Sequence, residues 1–293
     1  MVYFNMYGRL GNLLFQYAAA LSLGKGKAVG VTPDPEVVAV ARKAGSLFAG
    51  LEIVPRAPEG ALLLRQDKLF GPIEFPDVTG RDVLLDGFFQ SERYVDEKLV
   101  RAAYAIPSEL ERQLRERFAV PLAAPNVTSI HVRRGDYLAV PQCHPFVGED
   151  YFRDCLARLP DCRDFIVCSD DLPWCRSFFP QAFPDRHFTF SETGGPIEDV
   201  YLCSLCRNNI MSNSSFSWWG AWLNANPGKR VLAPSRWFGF ALAHDWGIDW
   251  SPIYFKGAEI VRNRFSPLFW LKAHWADFVF RRRARAERRR RDR

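Results

Sequence analysis

Short apolar runs alternate with helix-length amphipathic stretches from Val2 to Ala233, and the alternation stops and restarts across the proline-rich break Pro121 to Pro125. Strand followed by helix, repeated, builds a parallel sheet covered by helices. Two such series predict two sheets. The first begins with a strand over Val2 to Met6, a glycine turn from Gly8 to Gly11, and a helix over Leu13 to Leu23 closed by Gly24. A strand at 28–32, a helix at 35–49, a buried strand within Asp82 to Gln90 and a helical stretch over 92–118 complete it. The second has strands at Thr128 to Val132, Asp164 to Ser169, 208–211 and Val231 to Ala233. Its helices are placed at 149–159, 196–206 and Ser215 to Asn224. The expected architecture is therefore α/β, with Rossmann-like domains at 1–124 and 125–262 facing each other across a cleft. Residues 263–293 form an aromatic, Arg-rich tail. Open sheets of this kind bind ligands beyond the C-terminal ends of their strands.

Charge narrows the partners. The chain carries +6 overall, but nine arginines stand against Glu287 and Asp292 within 281–293, a local +7 that leaves the body at −1. A near-neutral globule with a basic tail is not a nucleic-acid face. Seven cysteines, an odd number in a chain of 293 residues, argue against a disulfide framework. Cys203 and Cys206 invite a redox or zinc reading, but their apolar flanks and the lack of a second pair favour buried thiols. Neither a charged-then-apolar leader nor 18 consecutive apolar residues occur, so the expected location is cytoplasmic, or peripheral at the cytosolic membrane face.

Chemistry concentrates in four strings. His131-Val132-Arg133-Arg134-Gly135-Asp136-Tyr137 follows a strand directly. Two strand-end guanidiniums suit a diphosphate, because the planar fork makes bidentate, charge-assisted bonds; a structural ion pair with Asp136 is the plainer reading. Ser212-Asn213-Ser214-Ser215-Phe216-Ser217 opens a helix, whose free N–H groups and partial positive charge favour anions. Ser214, Ser215 and Ser217 add hydroxyls to that cradle, although one serine would suffice as a cap. Asp170 and Asp171 end a strand, where a carboxylate accepts from a base edge or caps a helix. Gly8, Gly11, Asn12 and Gln16 form a glycine turn with two amides one helical turn apart, without the spacing of a dinucleotide fingerprint. The chain has no Asp-x-Asp triplet, so metal is not required and arginines can neutralise a diphosphate.

In order and interval, Gly-Arg-Leu-Gly-Asn at 8–12, Leu-Asp-Gly-Phe-Phe-Gln-Ser-Glu at 85–92, the arginine string, Ser-Asp-Asp at 169 and the serine–tryptophan string at 213 resemble the α-1,2-fucosyltransferases of glycosyltransferase family 11. The resemblance covers roughly residues 1–240. It implies a GT-B-like fold, a GDP-fucose donor and metal-independent inversion onto the 2-hydroxyl of a terminal galactose or similar sugar. Arg133 would hold the β-phosphate. His131 and Asp170 or Asp171 would lie by the guanosine, and Arg134 is read with Arg133 as gripping the diphosphate. Ser214, Ser215, Phe216 and Ser217 would lie by the diphosphate and base, and Asn12 would face the reacting centre. From its place beside the arginines, Asp136 is the first candidate for a base, with a salt bridge to Arg134 as the equal alternative. Tyr7 and Leu13 depart from the family's usual glycine and glutamine. Transfer in another linkage, α-1,6 or protein-directed, uses related motifs, and a noncatalytic nucleotide-sugar or glycan-binding module would use the same cradle. A nucleotide hydrolase would want a Walker loop or paired metal carboxylates, which are lacking. The aromatic segment 265–280 before the arginines reads as an interfacial segment on an anionic leaflet, near lipid-linked glycan acceptors; a packed helix with a solvated tail is the alternative.

Overall fold

The computed structural model describes residues 1–48, 50–67, 70–245 and 248–291. The first half builds a five-stranded parallel sheet, ordered β3-β2-β1-β5-β4, from β1 (Val2–Asn5), β2 (Val29–Val31), β3 (Glu52–Val54), β4 (Leu62–Arg65) and β5 (Val83–Asp86). Its helices are α1 (Leu10–Leu23), α2 (Pro35–Lys43), α3 (Glu97–Ala103), α4 (Ser108–Arg117) and the short α5 (Ala119–Leu122). The second half contributes strands β6 (Thr128–Val132), β7 (Asp164–Ser169), β8 (His187–Phe190), β9 (Asn208–Ile210), β10 (Val231–Pro234) and β11 (Ala258–Val261). They form a six-stranded parallel sheet ordered β11-β10-β9-β6-β7-β8. Helices α6 (Glu149–Ala157), α7 (Leu172–Ala182), α8 (Pro196–Leu205), α9 (Ser215–Leu223), α10 (Phe240–Asp245) and α11 (Pro267–Arg291) accompany it. Counted from β6, the order is 3-2-1-4-5-6, the doubly wound Rossmann pattern. Two facing parallel α/β sheets are the GT-B-like arrangement expected.

The central strand β6, Thr-Ser-Ile-His-Val, is buried at every position, as a strand covered on both faces must be. The expected elements are present, but several bounds differ for local reasons. The helical stretch over 92–118 divides into a 3₁₀ turn at Glu92–Tyr94, α3 capped by Asp96, and α4. Pro107 breaks it, because the residue before a proline avoids helical geometry. Helix α2 stops at Lys43, and Gly45 turns the chain in the left-handed region at φ +44°. The strand expected within Asp82 to Gln90 ends at Asp86, and Phe89 has a positive φ. Strands β3, β4, β8 and β11 and helices α5, α7 and α10 lie outside the expected elements. The four strands lie at or next to sheet edges, where exposed positions dilute the apolar run; Pro173 and Pro180 disguise α7.

One apolar core runs through both halves. Phe15 of α1 lies 4.5 Å from Trp218 and 4.9 Å from Trp219, and Trp219 donates through Nε1 to the Gly11 carbonyl at 3.2 Å. A second cluster fills the far face of the second sheet, around Phe152, Phe165 and Phe179. All cysteines except the half-buried Cys143 are buried. Cys203 approaches Cys168, Sγ to Sγ 3.6 Å, while Cys206 donates to the Leu202 carbonyl.

Candidate active site

Strand order reverses between β6 and β9 in the second sheet and between β1 and β5 in the first. Such switch points leave a crevice beyond the strand ends. Here the two crevices face each other around a cavity of about 940 Å³, within the size range of ligand sites. The loops after β1, β5, β6, β7 and β9 all reach it.

Register sets the polar wall. His131 pairs with Cys168 and Ile130 with Ile210, so Arg133 emerges level with Asp170 and beside the turn at Ser212. Arg133 bonds Asp136 through one terminal nitrogen at 2.6 Å and Asp170 through the other at 2.8 Å. Asp170 also accepts from the Arg134 backbone N–H at 2.9 Å. That closeness explains Gly135: a Cβ there would stand 2.6 Å from an Asp170 carboxylate oxygen. Asp136 is paired with Arg133 and, at 3.2 Å across the cleft, with Arg9; it is not paired with Arg134.

Arg134 points elsewhere. Its Nε bonds Asp171 at 3.0 Å, and its guanidinium lies 4.2 Å over Trp174 and 5.2 Å over Phe146. Asp171 caps α7 through the Trp174 N–H. Neither residue lines the cavity, so the two adjacent arginines have separate surroundings.

His131 is buried, and burial, then the charge of Arg133, pushes its pKa down to about 3. It is therefore a neutral ring, with Nδ1 2.7 Å from the Ser212 hydroxyl and its face 4.9 Å from Phe216. Ser214 occupies the N-cap position of α9 but makes no side-chain cap bond; its hydroxyl is left for the cavity it lines. Ser217 is buried and accepts from the Ser212 N–H, off the cavity wall.

The first sheet brings the facing wall. Ser215 donates to Asn12 Oδ1 at 2.9 Å, and Gln90 donates to the same oxygen at 2.8 Å. Asn12 thus ties α1, α9 and the loop after β5 together, and its NH₂ is what it offers a ligand. Gly11 permits this contact, since a Cβ on it would sit 2.5 Å from the Phe216 nitrogen. Gly8, at φ +88°, lines the cavity with Asn12. Gln16 instead folds back onto the Tyr7 backbone, fully buried. The N-terminal ends of α1 and α9 both border the cavity, and the first N–H groups of a helix have no intrahelical partner.

Several lining residues lie outside the strings read from the sequence. The turn Thr193-Gly194-Gly195-Pro196 leads into α8 at the same sheet edge, over Asp199. Burial raises the Asp199 pKa, and its Oδ1 accepts from the Ser191 hydroxyl and from Thr193 at 2.8 Å. A Gly-Gly-Pro turn after a strand is the signal for it in the sequence, masked because the partly exposed β8 carries a weak apolar pattern. His144 stacks on Tyr137 at 4.9 Å, and its Nδ1, like Asn213 Oδ1, is buried without a hydrogen-bond partner among the described residues. Burial lowers the His144 pKa. Tyr137 donates to the Asn213 carbonyl, and burial holds its hydroxyl protonated. Among the described residues no group of three or more His, Cys, Asp or Glu side chains is arranged to hold a metal ion.

A cationic fork and two helix N-termini converging between Rossmann-type sheets define the class as a two-lobed α/β protein with an anion-binding cleft. Within it, the chain belongs to glycosyl transferase family 11, whose model matches residues 84–238, just over half its length. It is 39% identical over 119 residues to the O-antigen biosynthesis glycosyltransferase WbnK of Escherichia coli, 39% of each chain. Identity is 32% over 160 residues to an alpha-1,2-colitosyltransferase of Escherichia coli, 52% of this chain and 55% of that one. It is 27% over 236 residues to galactoside alpha-(1,2)-fucosyltransferase 1 of Alouatta caraya, 74% of this chain and 63% of that one. The chain thus spans between 39% and 63% of these relatives' lengths. Among solved structures, the fucosyltransferase NodZ from Bradyrhizobium aligns with a TM-score of 0.46 at 13% identity, over 74% of this chain and 91% of that one. POFUT1 in complex with GDP aligns with a TM-score of 0.48 at 11% identity, over 79% and 97%.

Proposed function

We propose that this glycosyltransferase moves L-fucose from GDP-fucose to the 2-hydroxyl of a terminal galactose, or a similar sugar, on a glycan. The observation that carries the reading is the convergence of Arg133, the hydroxyls of Ser214 and Ser215, and the N-termini of α1 and α9 on one cavity. The 1,2 linkage is taken from the names of the E. coli colitosyltransferase and the mammalian fucosyltransferases that resemble the chain.

In this reading the donor's diphosphate takes one fork of Arg133 from Asp136, its more exposed partner, at 43% against 26% for Asp170. Asp170 keeps the guanidinium aimed. Charge that develops on the leaving β-phosphate oxygen meets a donor already in place, together with the α9 terminus, and pre-set dipoles of this kind often supply the largest catalytic contribution. Asp136, relieved of Arg133, remains by Arg9 at the cleft and is the candidate base for the incoming hydroxyl, which attacks opposite the GDP and inverts the anomeric carbon. His131, neutral, packs against Phe216 and contributes no charge. The diphosphate is neutralised by arginine and helix dipoles, so we propose that transfer needs no divalent cation and no other cofactor.

The test is incubation of the full chain with GDP-fucose and acceptors ending in β-galactose, with and without EDTA, followed by linkage analysis of the product. An α-1,2-linked product formed equally under chelation is expected. An α-1,6 or protein-linked product would move the chain to another linkage. Donor binding with no GDP release from any acceptor would make it a noncatalytic module.

A further inference from the structure

Helix α11 has one face on the body and another that nothing among the described residues covers. Ala273 is fully buried, Phe240 stacks on His274 at 4.4 Å and lies 6.2 Å from Trp270, and Arg236 sits 5.4 Å over Trp270. On the opposite side Leu268, Leu271, Trp275 and Phe278 are each between 56% and 68% exposed. Their spacing of i, i+3, i+7 and i+10 puts them in a single stripe about three turns long. The exposed Arg282 continues that stripe one turn on. Single exposed apolar side chains are ordinary on a surface, but four in register are not. Among the described residues no helix is long and apolar enough to cross a membrane. The stripe is instead followed by nine arginines between 281 and 293.

We propose that α11 docks flat on an anionic lipid bilayer, with the stripe at the boundary of headgroups and acyl chains and the arginines over lipid phosphates. A flat-lying helix needs an apolar face, a cationic complement and too little apolar length to span, and α11 has all three. A second copy of the chain is the other occupant of matching shape. It would bring its own nine arginines to the same surface, where like charges repel, whereas an anionic leaflet supplies the opposite charge. Docking does not depend on the transferase reading, and its failure would leave that reading untouched. It would add that the acceptor is presented at a membrane: Phe238, two residues from the Phe240 that holds α11, lines the cavity.

The test uses the full chain with vesicles of phosphatidylcholine alone and of phosphatidylcholine with phosphatidylglycerol, read by flotation and by tryptophan emission. Wild type should float only with the anionic vesicles, with a blue-shifted emission, and salt should release it. Replacing the stripe (L271Q, W275Q and F278Q together) should lower partitioning at least tenfold, as should R288Q, R289Q, R290Q and R291Q together. Both variants should keep the wild-type unfolding temperature and GDP affinity. Wild type that stays in solution with anionic vesicles, a stripe variant that floats as well as wild type, or a wild-type dimer that the stripe variant turns into monomers would each overturn the proposal.

Discussion

Arg133→Ala and Arg134→Ala should fail in different ways, although the residues are neighbours. Removing Arg133 deletes a fork held on Asp136 at 2.6 Å and Asp170 at 2.8 Å, with 17% of the side chain exposed. Both carboxylates keep a second partner: Asp170 the Arg134 N–H, and Asp136 the Arg9 guanidinium. The cost to folding is therefore that of partly exposed pairs, about 1 kcal/mol. The cost to chemistry is that of one preorganised donor at a developing oxyanion, about 3–4 kcal/mol or 10²- to 10³-fold in kcat. Removing Arg134 deletes the Asp171 pair and the stack on Trp174 at 4.2 Å. That should lower stability by about 1–2 kcal/mol and the melting temperature by a few degrees, with kcat within about tenfold of wild type, since no direct charge at the cavity is lost. GDP release at saturating GDP-fucose, beside thermal unfolding of each variant, reads both effects. If Arg133→Ala turned over within about tenfold of wild type, or if Arg134→Ala matched its catalytic loss with an unchanged melting temperature, the assignment of the two roles would be wrong.

Gly11→Ala should destabilise the chain by about 1–3 kcal/mol, the usual range for overpacking, because its methyl would stand 2.5 Å from the Phe216 nitrogen and 2.6 Å from the Ser215 hydroxyl. GDP affinity should fall with it; a variant with unaltered melting and binding would mean that α1 and α9 can part at no cost. Acid should weaken the fold through His131. The folded ring resists protonation down to about 3 because of burial and Arg133, while the unfolded ring takes a proton below about 6.5. Stability is then fully present above that pH and falls by up to about 1.4 kcal/mol per unit as pH drops toward 3, with His144 shifted in the same direction. Urea unfolding of wild type and His131→Gln from pH 7 to 4 should show a shallower acid decline in the variant; parallel declines would remove His131 as the cause.

The sequence disclosed the second sheet's centre because β6, β7 and β9 are buried at nearly every position, as central parallel strands must be. It also disclosed the groups that meet at the cavity from those strand ends, His131, Arg133, Asp170 and Ser214. Less legible were the side chains' directions. Arg133 and Arg134 look alike in one dimension, and it is Asp171 and Trp174, at the start of α7, together with Phe146 that draw the second guanidinium away. Ser217 and Gln16 likewise satisfy the backbone nearby, at Ser212 and Tyr7, because a buried polar group must find a partner. The Gly194–Gly195 turn is hard to read because β8, an edge strand with partly exposed positions, carries too weak a pattern to mark the turn at its end. The aromatic segment after Phe265 forms a helix with one face packed on the body and one face exposed, a split that composition alone does not reveal.

The common core has a consequence for the passage of ligands into and out of the cleft. Separating the lobes would uncover Phe15, Trp218 and Trp219, and each ring returned to water costs roughly 4–6 kcal/mol. A clamshell motion is thus a poor way in or out. The ion pair from Arg9 to Asp136, both partners substantially exposed, spans the same gap for less than about 1 kcal/mol. Passage should be governed by that latch at the rim, which yields to salt and to an entering anion while the two halves stay locked behind it.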